Sequence, residues 1–274
     1  MTEHIPDEQY TNALTNNELF HAALTNTDED AAWLAISELQ LRGSRDIFEH
    51  SSNLCTSPEP YKRRVGVDIL GQLGITNNTF HEEVLAILLS MLEQEQEPEV
   101  LKSIAIALGH RHDPRAIEPL VRFKKHPDAG VREGVVSGLT SYEDELAIQT
   151  LIELSKDPAA YYIRDWATFA LGTQIKADTP AIREALVARL VDKEGIVRGE
   201  AMIGLALRYD QRMLEPLFND LTVGWLGTTL TDEADRIRQS LYPALVQLRE
   251  AWEGDKANER YNQLEEAIEK CRPA

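Results

Sequence analysis

The chain has 274 residues, 43% of them hydrophobic, and carries 46 acidic against 28 basic side chains for a net charge of −18. That apolar content suffices for a continuous core and excludes a disordered chain. No stretch approaches the roughly 20 apolar residues of a bilayer span, and the first residues, MTEHIPDEQYTNAL, have neither the basic nor the apolar region of a signal peptide. Cys55 and Cys271 stand far apart in no metal or redox spacing, so a reducing, cytoplasmic setting is expected. The charge is uneven: residues 1–101 hold 18 acidic and 5 basic side chains, a net −13, whereas residues 102–274 hold 28 and 23. Such a surface repels phosphate backbones, which argues against nucleic acid; it suits a cationic partner, or serves solubility alone.

In chain order, residues 1–27 read as an N-terminal cap with a short helix over Asn17–Leu24. From Ala31 a pattern then recurs: a β-branched residue, Arg, six residues on a small or apolar one, then Leu. It is clearest as Val131-Arg132 through Gly138-Leu139, Ile163-Arg164 through Ala170-Leu171, and Val197-Arg198 through Gly204-Leu205. Degenerate copies begin at Lys62-Arg63, Val100-Leu101 and Ile237-Arg238, and one without the Arg runs from Ala31 to Leu39. Counted at the Arg position, seven copies fall at 32, 63, 101, 132, 164, 198 and 238, with steps of 31 to 40 residues, the period of two-helix repeats.

Apolar residues at −1, +3 and +7 share one helical face, and a small residue at +6 (Ala107, Gly138, Ala170, Gly204, Ala244) admits a neighbouring helix. A second helix follows each copy, most clearly at Asp113-Pro-Arg-Ala-Ile-Glu-Pro-Leu120 and Asp210-Gln-Arg-Met-Leu-Glu-Pro-Leu217. There the Asp is placed to cap and the Pro lies in the first turn. Val223–Thr231 reads as a long apolar loop, Pro243 is expected to kink the last Arg-bearing helix, and residues 255–270 form an amphipathic closing helix with Tyr261, Leu264 and Ile268 on one face. The whole, 1–274, is expected to be one repeat domain: cap 1–27, repeats 28–250 and a C-terminal capping helix within 251–274.

Over roughly residues 28–250 the pattern resembles the HEAT-repeat family, in particular its short bacterial subset of PBS-lyase-type HEAT-like repeats. The resemblance implies an all-α fold, an α-α superhelix of about seven helix pairs. It also implies that an Asp about six positions before the Arg helps build a hydrogen-bond ladder between repeats. Asp192 to Arg198 and Asp232 to Arg238 keep that spacing, and Asp157 to Arg164 is one longer. Ser57 and His126 stand in its place before Arg63 and Arg132. An incomplete ladder is expected, with Arg164 and Arg198 buried. More narrowly, Ile163–Leu171 and Val197–Asp210 look like the enterobacterial YibA-like group. Some members are encoded beside Rhs polymorphic toxins and are taken to be their immunity proteins, which implies a protein partner: a cognate toxin domain, with a basic surface if an acidic inhibitor is to suit it.

Catalytic readings find little support. Asp165-Trp166 matches the residue types that HEAT-like DNA glycosylases use, but the chain lacks their dense Lys and Arg. One His-Glu pair, His81-Glu82, cannot build the two-iron site of HEAT-like hydroxylases, and His110-Arg-His112-Asp113 reads as a polar helix end. No P-loop, nucleophile elbow or dinucleotide fingerprint occurs, so no catalytic residue, metal or cofactor is expected. If the Arg-bearing helices line a concave face, as in known arrays, positions +1, +2 and +5 point into it. The candidate partner-binding residues are then Glu133, Asp165, Trp166, Phe169, Glu200 and Ile203. Trp166 and Phe169, at i and i+3, would be anchors among carboxylates; the other reading makes them part of the core between repeats.

Overall fold

A computed structural model describes residues 13–75, 77–229 and 231–273 of the chain. The first part of the expected N-terminal cap, residues 1–12, lies outside the described residues. Among the described residues all regular structure is helical, and the chain divides into two compact units, Met1–Gly138 and Leu139–Ala274.

In the first unit α1 (Asn16–Thr25) opens with a reciprocal cap: the Thr15 hydroxyl accepts from the Glu18 N–H, and the Glu18 carboxylate accepts from the Thr15 N–H. Next come α2 (Glu29–Arg42), α3 (Arg45–Leu54), α4 (Pro60–Gly71), α5 (His81–Gln94), α6 (Pro98–Arg111), the short α7 (Ile117–Val121) and α8 (Ala129–Leu139). Pro60 and Pro98 sit in first turns, where the missing N–H costs nothing. Helix α2 ends on Gly43 in the left-handed region at φ 54°, and a Cβ there would stand 2.7 Å from the Gly74 Cα.

The repeat-bearing helices α2, α4, α6 and α8 pack in series, each followed by a return helix as the spacing predicts. The small +6 position is a steric requirement: a Cβ on Gly138 would lie 2.6 Å from the Ala105 carbonyl oxygen. The −1, +3 and +7 residues form the core, with Val131, Val135 and Leu139 of α8 essentially without exposure.

The second unit contains α9 (Glu145–Leu154), α10 (Tyr161–Phe169), α11 (Pro180–Arg189), α12 (Gly195–Ala206), α13 (Leu214–Thr222), α14 (Trp225–Thr228), α15 (Asp232–Glu250) and α16 (Glu259–Cys271). Here α10, α12 and α15 pack in series, and a Cβ on Gly204 would stand 2.6 Å from the Gly172 Cα. Asp113 and Asp210 cap as expected, each accepting a backbone N–H two residues on, although each opens a 3-10 turn before its helix.

Two expectations need correction, and the ladder at one rung. Pro243 does not interrupt α15, which runs from Asp232 to Glu250; Ile237, Leu241, Ala244, Leu245 and Leu248 are buried on both sides of it. The loop expected over Val223–Thr231 contains the short α14, whose Trp225 indole lies against Gly195, where a Cβ would approach it to 2.4 Å. The ladder runs between repeats as expected, and at Arg63, Arg164 and Arg198 the carboxylate that meets the Arg belongs to the following turn. Arg63 donates to the Ser57 carbonyl and, through Nε and Nη2, to Glu95 at 2.7 and 2.9 Å. Arg164 donates to the Asp157 carbonyl and to the Asp192 carboxylate at 2.8 and 2.9 Å. Arg198 donates to the Asp192 carbonyl and to Asp220 at 3.3 and 2.9 Å. Asp220, rather than Asp232, therefore completes that rung, and Arg238 turns to Asp235 and the Leu226 carbonyl. Arg164 is buried; the Arg198 side chain keeps 19% exposure, so its expected burial is partial.

A second set of arginines, ten residues beyond the Arg position, locks the helix ends. Arg111, 2% exposed, donates to the carbonyls of Leu70, Leu73 and Thr79. Arg208 donates to those of Leu171, Gly172, Ile175 and Ala177. The latter cluster exists because α10 widens into a π turn over Ala170–Gln174, which turns carbonyls outward that one planar, five-donor guanidinium then collects. Arg42 does the same for the Leu14 carbonyl. All three close a Leu-x-x-Arg sequence: Leu39–Arg42, Leu108–Arg111 and Leu205–Arg208.

Candidate protein-binding site

Trp166 and Phe169, three residues apart on α10, share one face, and Asp165 precedes Trp166 in the chain. Trp166 is 47% exposed, too much for a core residue. Its ring meets Phe169 edge-on, with centroids 5.7 Å apart and planes at 89°, a preferred aromatic geometry that fixes the indole. Asp165 is half-buried beside them, and its Oδ1 is buried without a hydrogen-bond partner.

Glu200 and Ile203 do not point outward as expected. Glu200 is 2% and Ile203 4% exposed, because α15 lies along α12. Gly199, lacking a side chain, lets Ile237 approach to where a Cβ would stand 2.9 Å from its Cγ2. Glu200 Oε1 accepts from Arg236 Nη2 at 2.7 Å, while Oε2 is buried with no partner. Burial pushes the Asp165 carboxyl up to about 7, helped by the nearby charges of Glu200 and Glu233 and opposed by Arg236. Burial also raises Glu200, against the pull of Arg236.

Glu133 belongs to the first unit, where it is half-buried and accepts from Lys102 Nζ at 3.0 Å. Also in that unit, Trp33 is 47% exposed and shares a cavity with Tyr61, Arg64 and Asp68. Burial raises the Asp68 carboxyl to about 6, against a hydrogen bond from Ser103 and the charge of Arg64. Sequence reasoning missed Glu233 and Arg236 as neighbours of the site. The available signal was Arg236 itself, the one basic residue two positions before the repeat's Arg position in all seven copies.

His81, Glu82 and Asp113 bring ligand-type atoms within 4.8 Å of one another, but a guanidinium already serves that cluster. Arg115 donates to Glu82 at 2.9 and 3.0 Å and to Asp113 at 2.7 and 2.8 Å, while His81 Nε2 meets Asp113 at 3.0 Å. The second unit repeats this network with Arg212 bonded to Asp210 and Glu184, and Arg183 where His81 stands. The same ion network, in the same register of both units, accounts for the cluster.

Stacked helix pairs with a recurrent Arg, a small +6 residue and a carboxylate ladder define a HEAT-repeat protein, and the HEAT repeats family matches residues 85–172. Protein YibA of Escherichia coli K12 is 31% identical over 216 residues, covering 76% of this chain and 75% of YibA. The chain belongs to the YibA family of HEAT-repeat proteins. The X-ray structure of E. coli YibA superposes with a TM-score of 0.69 at 25% identity, covering 96% of this chain and 95% of that one. The complex of CpcE and CpcF of phycocyanin lyase from Nostoc sp. PCC7120 shares the fold, with a TM-score of 0.50, 16% identity and coverage of 99% and 98%. No helix among the described residues is long and apolar enough to cross a membrane.

Proposed function

We propose that this protein binds another polypeptide without catalysing a reaction, and that the partner is a toxin domain with a basic surface, which it neutralises as an immunity protein. The exposed Trp166, held edge-on by Phe169, on a strongly acidic chain is the observation that carries this reading. Fixed aromatic anchors next to charge are what binding hot spots are made of, and the net charge of −18 would speed encounter with a cationic partner. Membership of the YibA family supports the toxin. A general adaptor role uses the same surface for another partner, and a HEAT-like enzyme such as a DNA glycosylase is the distant alternative.

The test is co-purification of the full chain with the product of a large toxin gene beside its own, followed by binding kinetics at two salt concentrations. The expected result is a stable complex whose association slows as salt rises and which blocks the toxin's activity. An equally tight complex with an unrelated cellular protein and none with the toxin would favour the adaptor reading.

A further inference from the structure

In the first unit, Trp33, Tyr61, Arg64 and Asp68 line one cavity of about 360 Å³, at the small end of ligand pockets. Trp33 and Tyr61 supply two aromatic walls, 47% and 40% exposed, and Ile36 and Val65 add apolar lining. The Tyr61 ring is fixed at its far end, where its hydroxyl donates to the Ala23 carbonyl at 2.8 Å. The Arg64 guanidinium lies 5.4 Å from the centre of that ring, a contact that holds the cation through its charge and uses none of its five N–H donors. Among the described residues Arg64 makes no hydrogen bond and no ion pair, although its charge acts on Asp68. Asp68, four residues on and on the same face of α4, accepts a hydrogen bond from Ser103. A carboxylate has about four acceptor positions, so Asp68 can take a further donor. Arg64 and Asp68 thus offer one ligand group a donor and an acceptor together, beside aromatic walls.

We propose that this cavity receives a tyrosine side chain of the protein partner, its ring against Trp33 and Tyr61 and its phenol oxygen shared between Arg64 and Asp68. A phenol both donates and accepts, so its O–H donates to the Asp68 carboxylate while its oxygen accepts from Arg64. Phenylalanine fills the same space but leaves the guanidinium and the carboxylate without the bonds that replace water, and a site built around a hydroxyl rejects it for that reason. A lysine or arginine side chain would meet Asp68 but also the charge of Arg64, so the acidic surface steers a basic partner without a cation entering here. The proposal deepens the binding function above and rests on it for the existence of a partner.

The experiment titrates the full-length protein with N-acetyl-tyrosinamide, N-acetyl-phenylalaninamide and N-acetyl-lysinamide. The readout is the indole N–H signals of the four tryptophans, with Trp33 assigned through Trp33→Phe. A saturable shift of the Trp33 signal is expected with the tyrosine amide, about tenfold weaker binding with the phenylalanine amide, and no saturation with the lysine amide. Arg64→Met, which keeps the apolar stem and loses the donors, should bring the tyrosine amide down to the affinity of the phenylalanine amide. Equal binding of the tyrosine and phenylalanine amides, or an unmoved Trp33 signal, would overturn the receptor. So would tighter binding of the lysine amide, or full tyrosine binding by a folded Arg64→Met protein. The two readings fail separately. Binding of the tyrosine amide without any toxin complex sinks the immunity role alone. A toxin complex indifferent to Trp33→Leu and Arg64→Met, in melting-matched proteins, sinks the tyrosine receptor alone.

Discussion

Asp192 accepts the Arg164 guanidinium on its carboxylate, at 2.8 and 2.9 Å, from a turn 28 residues further along the chain. The same residue offers its main-chain carbonyl to Arg198 at 2.9 Å, so one aspartate joins two successive rungs. Burial alone would raise its carboxyl, but the hydrogen bonds from Arg164 and from the backbone hold it below the ordinary value.

Breaking that pair should be costly. With Arg164 6% exposed, Arg164→Ala takes from a buried carboxylate its two short hydrogen bonds, leaving Arg189 at 3.5 Å, and should cost about 3 kcal/mol in urea unfolding. Asp192→Asn should cost less, because the amide still accepts one hydrogen bond. Since the folded-state value of Asp192 is depressed, its contribution is present above the unfolded value of about 3.9 and is lost as pH falls through the folded one. An Arg164→Ala protein that unfolds at the wild-type urea concentration would remove the ladder from the account of stability.

The π turn gives a sharper case. Arg208→Met keeps much of the packing volume but abandons the carbonyls of Leu171, Gly172, Ile175 and Ala177. Each stranded buried acceptor carries a desolvation cost, so a loss of about 3 kcal/mol or more is expected. Arg208→Lys should recover only a fraction, since one ammonium cannot span four acceptors. Hydrogen exchange over 170–177 checks it, and protection there should fall first.

Steric contact sets the next expectation. Gly204→Val places a branched side chain where even a Cβ lies 2.6 Å from Gly172. Separating the two helices should cost about 1–3 kcal/mol, and Gly204→Ala should cost less. Thermal midpoints of the two variants, ordered in that way, are the measurement.

The acid-base expectation runs the other way from Asp192. Asp165, at about 7, and Asp68, at about 6, are both raised above the unfolded value of about 3.9. Their protonated forms favour the folded state, so this stability is complete below about pH 4 and is lost as pH rises through 6 and 7. The charged groups facing Asp165 are Glu200 and Glu233, which oppose its ionisation, and Arg236, which favours it. Asp165→Asn should therefore match wild type near pH 4 and exceed it at pH 8 by about 1–2 kcal/mol, allowing for partial exposure. Melting curves at the two pH values decide it, and a variant less stable at pH 8 contradicts the buried-carboxylate account.

The period, the small +6 residues and the Asp caps were legible because each is a local rule that recurs along the chain, the +6 rule in five of the seven copies. The rung partners were not, because Asp220 meets Arg198 through the length of the intervening turn, and that length varies between copies. Arg111 and Arg208 were equally hidden: nothing in Leu-x-x-Arg says that the guanidinium turns inward instead of to water. At the site, helical spacing put Trp166 and Phe169 on one face but left open whether they lie in the core; the 47% exposure of Trp166 decides against the core for that ring. Glu200 and Ile203 were misplaced because Gly199 admits the long closing helix, a contact that no periodicity encodes.

The double use of Asp192 also bears on how such a chain can change length. The repeat from Asp192 to Arg198 contributes a socket for the arginine before it and an arginine that reaches for the turn ahead, all within one stretch of sequence. A gene segment excised or duplicated in register would leave its new junction with a donor facing an acceptor. The two ends are different, since a chain cut just after Arg198 loses Asp220 and leaves a guanidinium reaching for nothing. Growth and loss are thus permitted in the interior and penalised at the last rung, which gives the array a direction.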